Sequence, residues 1–426
     1  MTTDKSGSVN RRRMLYGGAA VVAGAGIAGY ASGEWNAPAA ASGNADRPGV
    51  ADVMADFGAK GDGKTDDSAA FAAAYAYAES RISGGVGHTV IDVPPGVYLV
   101  TKPGALLAGD KADKRASGLR FRGAGMRISE IVFAPKSAKD AYLCRNNNMW
   151  SNISFEGLRF TSGTPGASFF SSYSTGWAQN YRFSECEWMG EWEYGLALDG
   201  SNNNSEMRWE ACRVGGAYRK AFLYSGLSKR SEKREQQDQF LNYWFTDMTV
   251  TYDWGNFLEF PYGGSITCRS GSYIITGRRP TPHPEYGFES AFFRFPRASH
   301  FDSVQRFHAE DIRFEIRDPA VVVIDCEWNS GTVHFNDCDD TSQSYKQYSD
   351  GLTAHRYNIG ASGPLVRYDM CQLSGAHQYR PTAGAQLPTS VRYDMCRIVD
   401  HTADAFVAAG SHDKKFARFV DCIMPG

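Results

Sequence analysis

Read from its residues, this chain is an all-β solenoid, a parallel β-helix closed at its N-terminal end by one α-helix. Three observations lead there. A short phrase of basic residue, aromatic, two residues and cysteine keeps returning: RFSEC at 182–186, RWEAC at 208–212, HFNDC at 334–338, RYDMC at 367–371 and 392–396, and RFVDC at 418–422. A second strand-like run recurs between the phrases, as AFLYS at 221–225, NFLEF at 256–260, AFFRF at 291–295, AVVVID at 320–325 and AFVAA at 405–409. Long amphipathic helical patterns are missing from the repeats. Units of this size cannot bury an apolar face alone and must stack on their neighbours.

Degraded copies of the phrase fill the gap in the middle of the chain and precede its first full copy. They set Phe155, Phe245, Cys268 and Ala309 in the aromatic place and Leu158, Met248, Gly271 and Ile312 in the cysteine place. A position open to Cys, Met, Leu, Ile and Gly takes small or soft core residues. Metal ligation would not tolerate that set, so the cysteines are predicted to be buried filler. Short runs rich in branched and aromatic residues, bounded by Gly, Asn, Ser and Pro, are strands. Two or three of them per repeat suit a β-helix, whereas a propeller blade needs four in about 40–45 residues.

The domain order follows. Residues 1–41 read as a twin-arginine-type export signal, with Arg11, Arg12, Met14 and Leu15 before a weakly apolar run from Gly17 to Ala31. That run is too short and glycine-rich for a stable span, so no membrane span is expected after signal removal. Residues 42–50 form a linker and 51–100 a cap module. In the module Gly58, Gly61 and Gly63 make a tight loop, and Thr65 or Asp66 caps an alanine-rich helix running to about Glu79. Such a helix plugs the open end of a solenoid. A strand at 89–93 and a turn at 94–96 complete the module. Residues 101–426 then form the β-helix, with loops inserted at 227–239 and 277–289.

The cap module resembles the N-terminal module of the pectate-lyase-like superfamily, of the rhamnogalacturonase/epimerase kind. Asp56-Phe57-Gly58-Ala59, Gly61-Asp62-Gly63, Thr65-Asp66-Asp67 and Val93-Pro94-Pro95-Gly96-Val97-Tyr98 carry the resemblance. It implies a single-stranded, right-handed parallel β-helix. It does not imply one reaction, because the superfamily includes hydrolases, lyases, epimerases and depolymerases, and fold alone licenses none of them. The polygalacturonase residue set is absent: Asp339-Asp340 stands without its companions. Pro282-His283-Pro284-Glu285 does not match the epimerase signature. The Asp66-Asp67 pair is read as helix capping.

A net charge of −2 argues against a nucleic-acid partner, which needs concentrated basic surface. Nine cysteines would ordinarily suggest disulfides in an exported protein. Six of them occupy the equivalent core place, which favours free thiols.

Chemistry is sought where the rungs swell, because insertions in solenoids gather on one face. Tyr224, Glu259 and Arg294 are equivalent in successive second strands, and alternation sets Glu259 and Arg294 outward, at the surface. Nearby in sequence lie Asp247, Arg269, His308, Glu310, Asp311, Arg313 and His334. The catalytic candidates are Glu259, Arg294, Glu310 and Asp311. The substrate-binding candidates are Tyr224, Asp247, Arg269, His308, Arg313 and His334. Glu259 with Glu310 or Asp311 would move protons, while Arg294 and Arg313 hold substrate charge. Two carboxylates can hydrolyse a glycosidic bond. Alternatively, an arginine neutralises a uronate while a base removes its proton in β-elimination. No cofactor is required, although such carboxylates can also hold Ca²⁺.

The sequence thus reads as an exported enzyme, lyase or glycoside hydrolase, that degrades an acidic, uronate-containing polysaccharide as a monomer or homotrimer. The alternatives are a non-catalytic glycan-binding or surface-assembly protein and an exopolysaccharide epimerase or transferase.

Overall fold

The structure is a computed structural model that describes residues 49–147, 149–174, 178–200, 204–226, 242–261, 263–296, 304–328, 330–341, 356–360, 364–380, 391–399 and 417–424. The expected signal and nearly all of the expected linker, the 227–239 loop and the AFVAA run lie outside the described residues.

Among the described residues every pairing between strands is parallel, and the pairings form three ladders. The first ladder starts at Val50–Asp52, Val86–Val93 and Ala116–Gly123, and ends at Leu365–Asp369, Val391–Asp394 and Ala417–Val420. The second starts at Asp62–Asp66, Gly96–Val100 and Ser129–Phe133 and ends at Arg397–Ile398. Three long strands, Tyr243–Tyr252, Gly264–Ile275 and Gln305–Ile316, serve both ladders, their first halves in the first and their second halves in the second. The third ladder runs through Ala217–Ser225, Asn256–Glu259, Ser290–Phe295 and Val321–Cys326. These are the second-strand runs of the sequence. Each is joined in register to the next: Tyr224 pairs with Glu259, Glu259 with Arg294, and Arg294 with Asp325.

The repeated phrase encodes the corner between the first and second sheets. Its aromatic residue points inward, the residue before the cysteine turns the chain, and the cysteine points inward again. The turning residues are Glu185, Ala211, Asp247, Ser270, Asp311, Asp337, Met370, Met395 and Asp421, all with φ between 48° and 54°. This left-handed conformation is costly for a side-chain-bearing residue and is best tolerated by Asp and Asn. The thiol then donates back to the rung before it. Cys212 Sγ reaches Phe183 O at 3.4 Å, Cys338 reaches Ala309 O at 3.6 Å, and Cys396 reaches Tyr368 O at 3.3 Å. All nine cysteines are free and all but Cys422 are buried. Cysteine therefore serves as a small core residue with one weak donor.

The aromatic place builds two stacks. Phe121, Phe155, Phe183, Trp209 and Phe245 stack with centroids 4.5–5.4 Å apart. Phe335, Tyr368, Tyr393 and Phe419 do so at 4.7–5.2 Å. Between the stacks stand Cys268 and Ala309, in register with Phe245. The space they leave takes rings from the third sheet, with Phe293 4.5 Å from Phe307.

The cap helix is Ser68–Ser80, one residue beyond the expected end. Phe71, Ala74, Tyr75 and Ala78 form its buried stripe, at the spacing of one helical face. Phe71 meets Tyr98 edge-on at 5.5 Å, and Trp150 Nε1 donates to Tyr75 Oη at 3.0 Å. The N-cap differs from expectation. Thr65 and Asp66 end the preceding strand, and Asp67 occupies the cap position. The Asp67 carboxylate makes no cap bond but accepts from Lys60 N–H at 2.7 Å and Gly61 N–H at 3.1 Å. It fastens the glycine loop instead, while Asp66 accepts from Ser68 N–H at 3.0 Å. Among the described residues no helix is long and apolar enough to cross a membrane.

Candidate functional site

The outward row Tyr224, Glu259, Arg294 and Asp325 runs along the third sheet, one residue per rung. Parallel pairing fixes this row, since adjacent strands lie about 4.8 Å apart. The expectation that Glu259 and Arg294 stand at the surface is corrected: Glu259 is 6% exposed and Arg294 2%. The inserted loop is the reason. It folds back on itself, His283 and Gly287 forming an antiparallel bridge, and carries Tyr286 over the row.

Tyr286 Oη donates to Glu259 Oε1 at 2.8 Å, and its ring centre lies 3.8 Å from the Arg294 guanidinium carbon. Asn256 Nδ2 donates to the other Glu259 oxygen at 2.7 Å. Arg294 pairs with Asp325 at 2.7 Å and with Glu289, from the end of the loop, at 3.6 Å. Its ion pairs among the described residues are therefore not with Glu259. Buried Arg279 anchors the loop, donating to Arg219 O at 2.6 Å and Glu289 O at 2.9 Å. His283 stacks on Tyr286 at 4.6 Å, and its Nε2 lies 3.2 Å from Lys220 Nζ.

These surroundings move proton affinities. Burial pushes the Glu259 carboxyl above its ordinary value, against the opposing pull of Asn256, Tyr286, Arg294 and Arg279. Burial, with the charges of Lys220 and Arg279, holds His283 down to about 4. The row thus contains a carboxyl that keeps its proton more readily, an arginine and an ionisable partner across it. Acid–base sites are built from groups whose surroundings differ in this manner.

The other predicted residues do not join this row. Arg269, His308, Glu310 and His334 belong to the first sheet, where Arg269 pairs with Glu310 at 2.8 Å. Arg313 belongs to the second sheet, bonded to Ser272 at 2.9 Å and Glu315 at 3.2 Å. Asp247 and Asp311 are the turning residues of the corner between those sheets, and Ser270 Oγ donates to Asp311 at 2.8 Å. The expected pairing of Glu259 with Glu310 or Asp311 is therefore corrected. Successive strands in sequence wrap to different faces of the coil, and the packed core lies between them. The same holds for Arg294 with Arg313.

Sequence reasoning missed Tyr286, Glu289, Arg279 and Asp325. Asp325 had a signal, as the last residue of AVVVID, the run that follows AFFRF. The loop residues had none, because no pattern tells how an irregular segment folds back. Among the described residues no group of three His, Cys, Asp or Glu side chains could hold a metal ion.

Residues 51–174 match the family described as rhamnogalacturonase A/epimerase, pectate lyase-like. Among solved structures the chain is similar to the A-module of the Azotobacter vinelandii mannuronan C-5 epimerase AlgE6, at 14% identity over 88% of this chain and 99% of that one, with a TM-score of 0.46. It is also similar to the catalytic unit of a GH87 α-1,3-glucanase from Streptomyces thermodiastaticus, at 13% identity over 91% and 69%, TM-score 0.32. A third is the Streptococcus pneumoniae surface protein and adhesin PfbA, at 11% identity over 87% and 96%, TM-score 0.37. Likeness this distant carries no argument about chemistry. Comparison with curated proteins gives no match. The family match thus covers the N-terminal module, and the parallel coil that continues it is the right-handed β-helix that the sequence predicts.

Proposed function

We propose that the chain is an exported enzyme that cleaves an acidic, uronate-containing polysaccharide, with the third-sheet row as its catalytic centre. One observation carries the reading: Glu259, a buried carboxyl of raised proton affinity, stands in one row with Arg294 and Asp325 beneath the inserted loop. The matched family's description, which names a rhamnogalacturonase and an epimerase, supports a carbohydrate substrate. Glu259 would give its proton to the leaving glycosidic oxygen. Arg294 would face the uronate carboxylate. Asp325, two rungs from Glu259 and so roughly 10 Å along the axis, would take a proton from water or from the sugar. The loop must lift first, releasing Tyr286 from both Glu259 and Arg294. Closed over substrate, it would exclude water and strengthen each charge interaction.

Incubation with a panel of acidic polysaccharides tests the reading. An unsaturated, ultraviolet-absorbing uronate means elimination, and new reducing ends without it mean hydrolysis. Altered sugar composition at unchanged chain length means epimerisation. No product from any polymer overturns the enzymatic reading. A non-catalytic glycan-binding protein is the second reading, favoured by the closure of the third-sheet row under Tyr286.

A further inference from the structure

The geometry points to a second polysaccharide-binding site, on the first sheet and separate from the catalytic row, that takes a carboxylate-bearing sugar segment. On its other rungs the outer face of the first sheet carries a series of compensated charges. Arg182 pairs with Glu210 at 2.6 Å, Arg367 with Asp369 at 2.6 Å, and Arg392 with Asp394 at 2.8 Å. In the middle rungs the series breaks. The outward row there reads Trp244, Thr267, His308 and His334 before returning to Arg367.

At the break lies a cleft of about 630 Å³, lined by Trp244, Arg269, Arg306, His308, His334 and Arg367 together with apolar and threonine side chains. No carboxylate lines it among the described residues. Arg306 is exposed, and its hydrogen bonds among the described residues go only to Ser265 Oγ, at 2.6 and 3.2 Å. Arg208 lies 4.3 Å from the Trp244 ring centre, without a carboxylate partner among the described residues. Among the described residues Arg306 thus lines the cleft with no carboxylate to balance it, and Arg208 stands against the cleft's Trp244 in the same state. Glu310 and Asp369 sit at its edges, held by Arg269 at 2.8 Å and by Arg367 and His334 at 2.6 and 2.7 Å.

The shape fits an extended anionic ligand. From Trp244 to Arg367 the row crosses four rung steps, roughly 19 Å, the length of a short oligosaccharide. A guanidinium binds carboxylate in a planar, two-pronged manner, and an indole offers an apolar face for a sugar ring. His308, held below its ordinary value by burial and by His334, adds a neutral ring nitrogen to the floor. The inference rests on the proposed function for its ligand class alone, since the residues, the sheet and the cleft are different.

The test is calorimetric titration of the full chain, carrying Glu259→Gln to stop turnover, with tetragalacturonate as probe and maltotetraose as neutral control. The site predicts binding of the acidic probe, no binding of the neutral one, and a tenfold or greater loss of affinity on adding Arg306→Ala. Undiminished affinity in the Arg306→Ala protein overturns the inference, as does equal binding of the neutral probe. Turnover of polymer by the chain without Glu259→Gln is measured separately. If turnover is absent while Arg306→Ala still weakens binding, the proposed reaction fails and the second site stands.

Discussion

The regular rungs toward either end and the swollen rungs in the middle solve the same stacking problem in opposite ways. At the ends, identical residue types repeat inside and out: aromatic on aromatic, thiol to carbonyl, arginine beside acid. In the middle, the aromatic place shrinks to Cys268 and Ala309, and the outward arginines give way to Trp244, Thr267, His308 and His334. The third sheet is buried there on both faces, with every residue of Ser290–Phe295 inside. Repetition stabilises, because each rung meets a neighbour of its own kind. Departure from repetition leaves polar groups that the coil does not need, and these are the groups available for chemistry.

The largest break in this contrast should come from Glu259→Gln. Loss of its proton transfer should lower turnover roughly 10²–10⁴-fold, while the thermal midpoint at neutral pH holds, because an amide can keep the Asn256 and Tyr286 contacts. Glu210→Gln, on a regular rung, should leave turnover unchanged. Equal effects from the two would remove the chemical distinction between the regions.

Stability should divide the regions next. Trp209→Ala, between Phe183 and Phe245, opens a large cavity and should cost about 3–5 kcal/mol in denaturant unfolding. Ala309→Phe extends the stack into space already filled by Phe293 and Phe307, and should cost about 1–3 kcal/mol through overpacking. A gain in stability from Ala309→Phe would mean that the middle is a gap rather than a repacked core.

The loop should respond to pH and to one hydroxyl. Tyr286→Phe removes the bond to Glu259 and should weaken loop seating by about 0.5–1.5 kcal/mol, seen as faster amide exchange over 277–289. His283 binds its proton less readily when the loop is seated, its value falling from 6.5 to about 4. Acidification through that window therefore favours the open loop. Glu259 acts with the opposite sign: its raised affinity favours seating at low pH, and the benefit fades as pH rises through its folded value. In Glu259→Gln only the His283 limb should remain, so protection over 277–289, taken relative to the intrinsic exchange rate at each pH, should fall steadily from pH 6.5 to 4. Protection independent of pH there would show that the ring does not sense the loop.

The smallest effects belong to the corners. Met370→Gly relieves a left-handed backbone and should gain roughly 1 kcal/mol. Asp311→Gly should be as mild and leave turnover intact. A large loss of activity would return Asp311 to the catalytic candidates.

The coil itself was legible because its forces are local and periodic. Aromatic and cysteine places recur at fixed spacing, and the degraded copies at Cys268 and Ala309 fall into the register that their spacing predicts. The equivalence of Tyr224, Glu259 and Arg294 follows from the same periodicity. The burial of Glu259 was not legible, since a strand's pattern says which face a residue takes but not what later covers that face. Only the tertiary structure decided that Tyr286 lies on Arg294, and that Glu310 and Asp311 stand around the coil from Glu259. Sequence by itself determines the ladder, because each rung meets the next by the same short-range rule. The distribution of its charged groups over separate faces is decided by how the chain wraps, and by one irregular loop whose contacts join residues far apart in the chain.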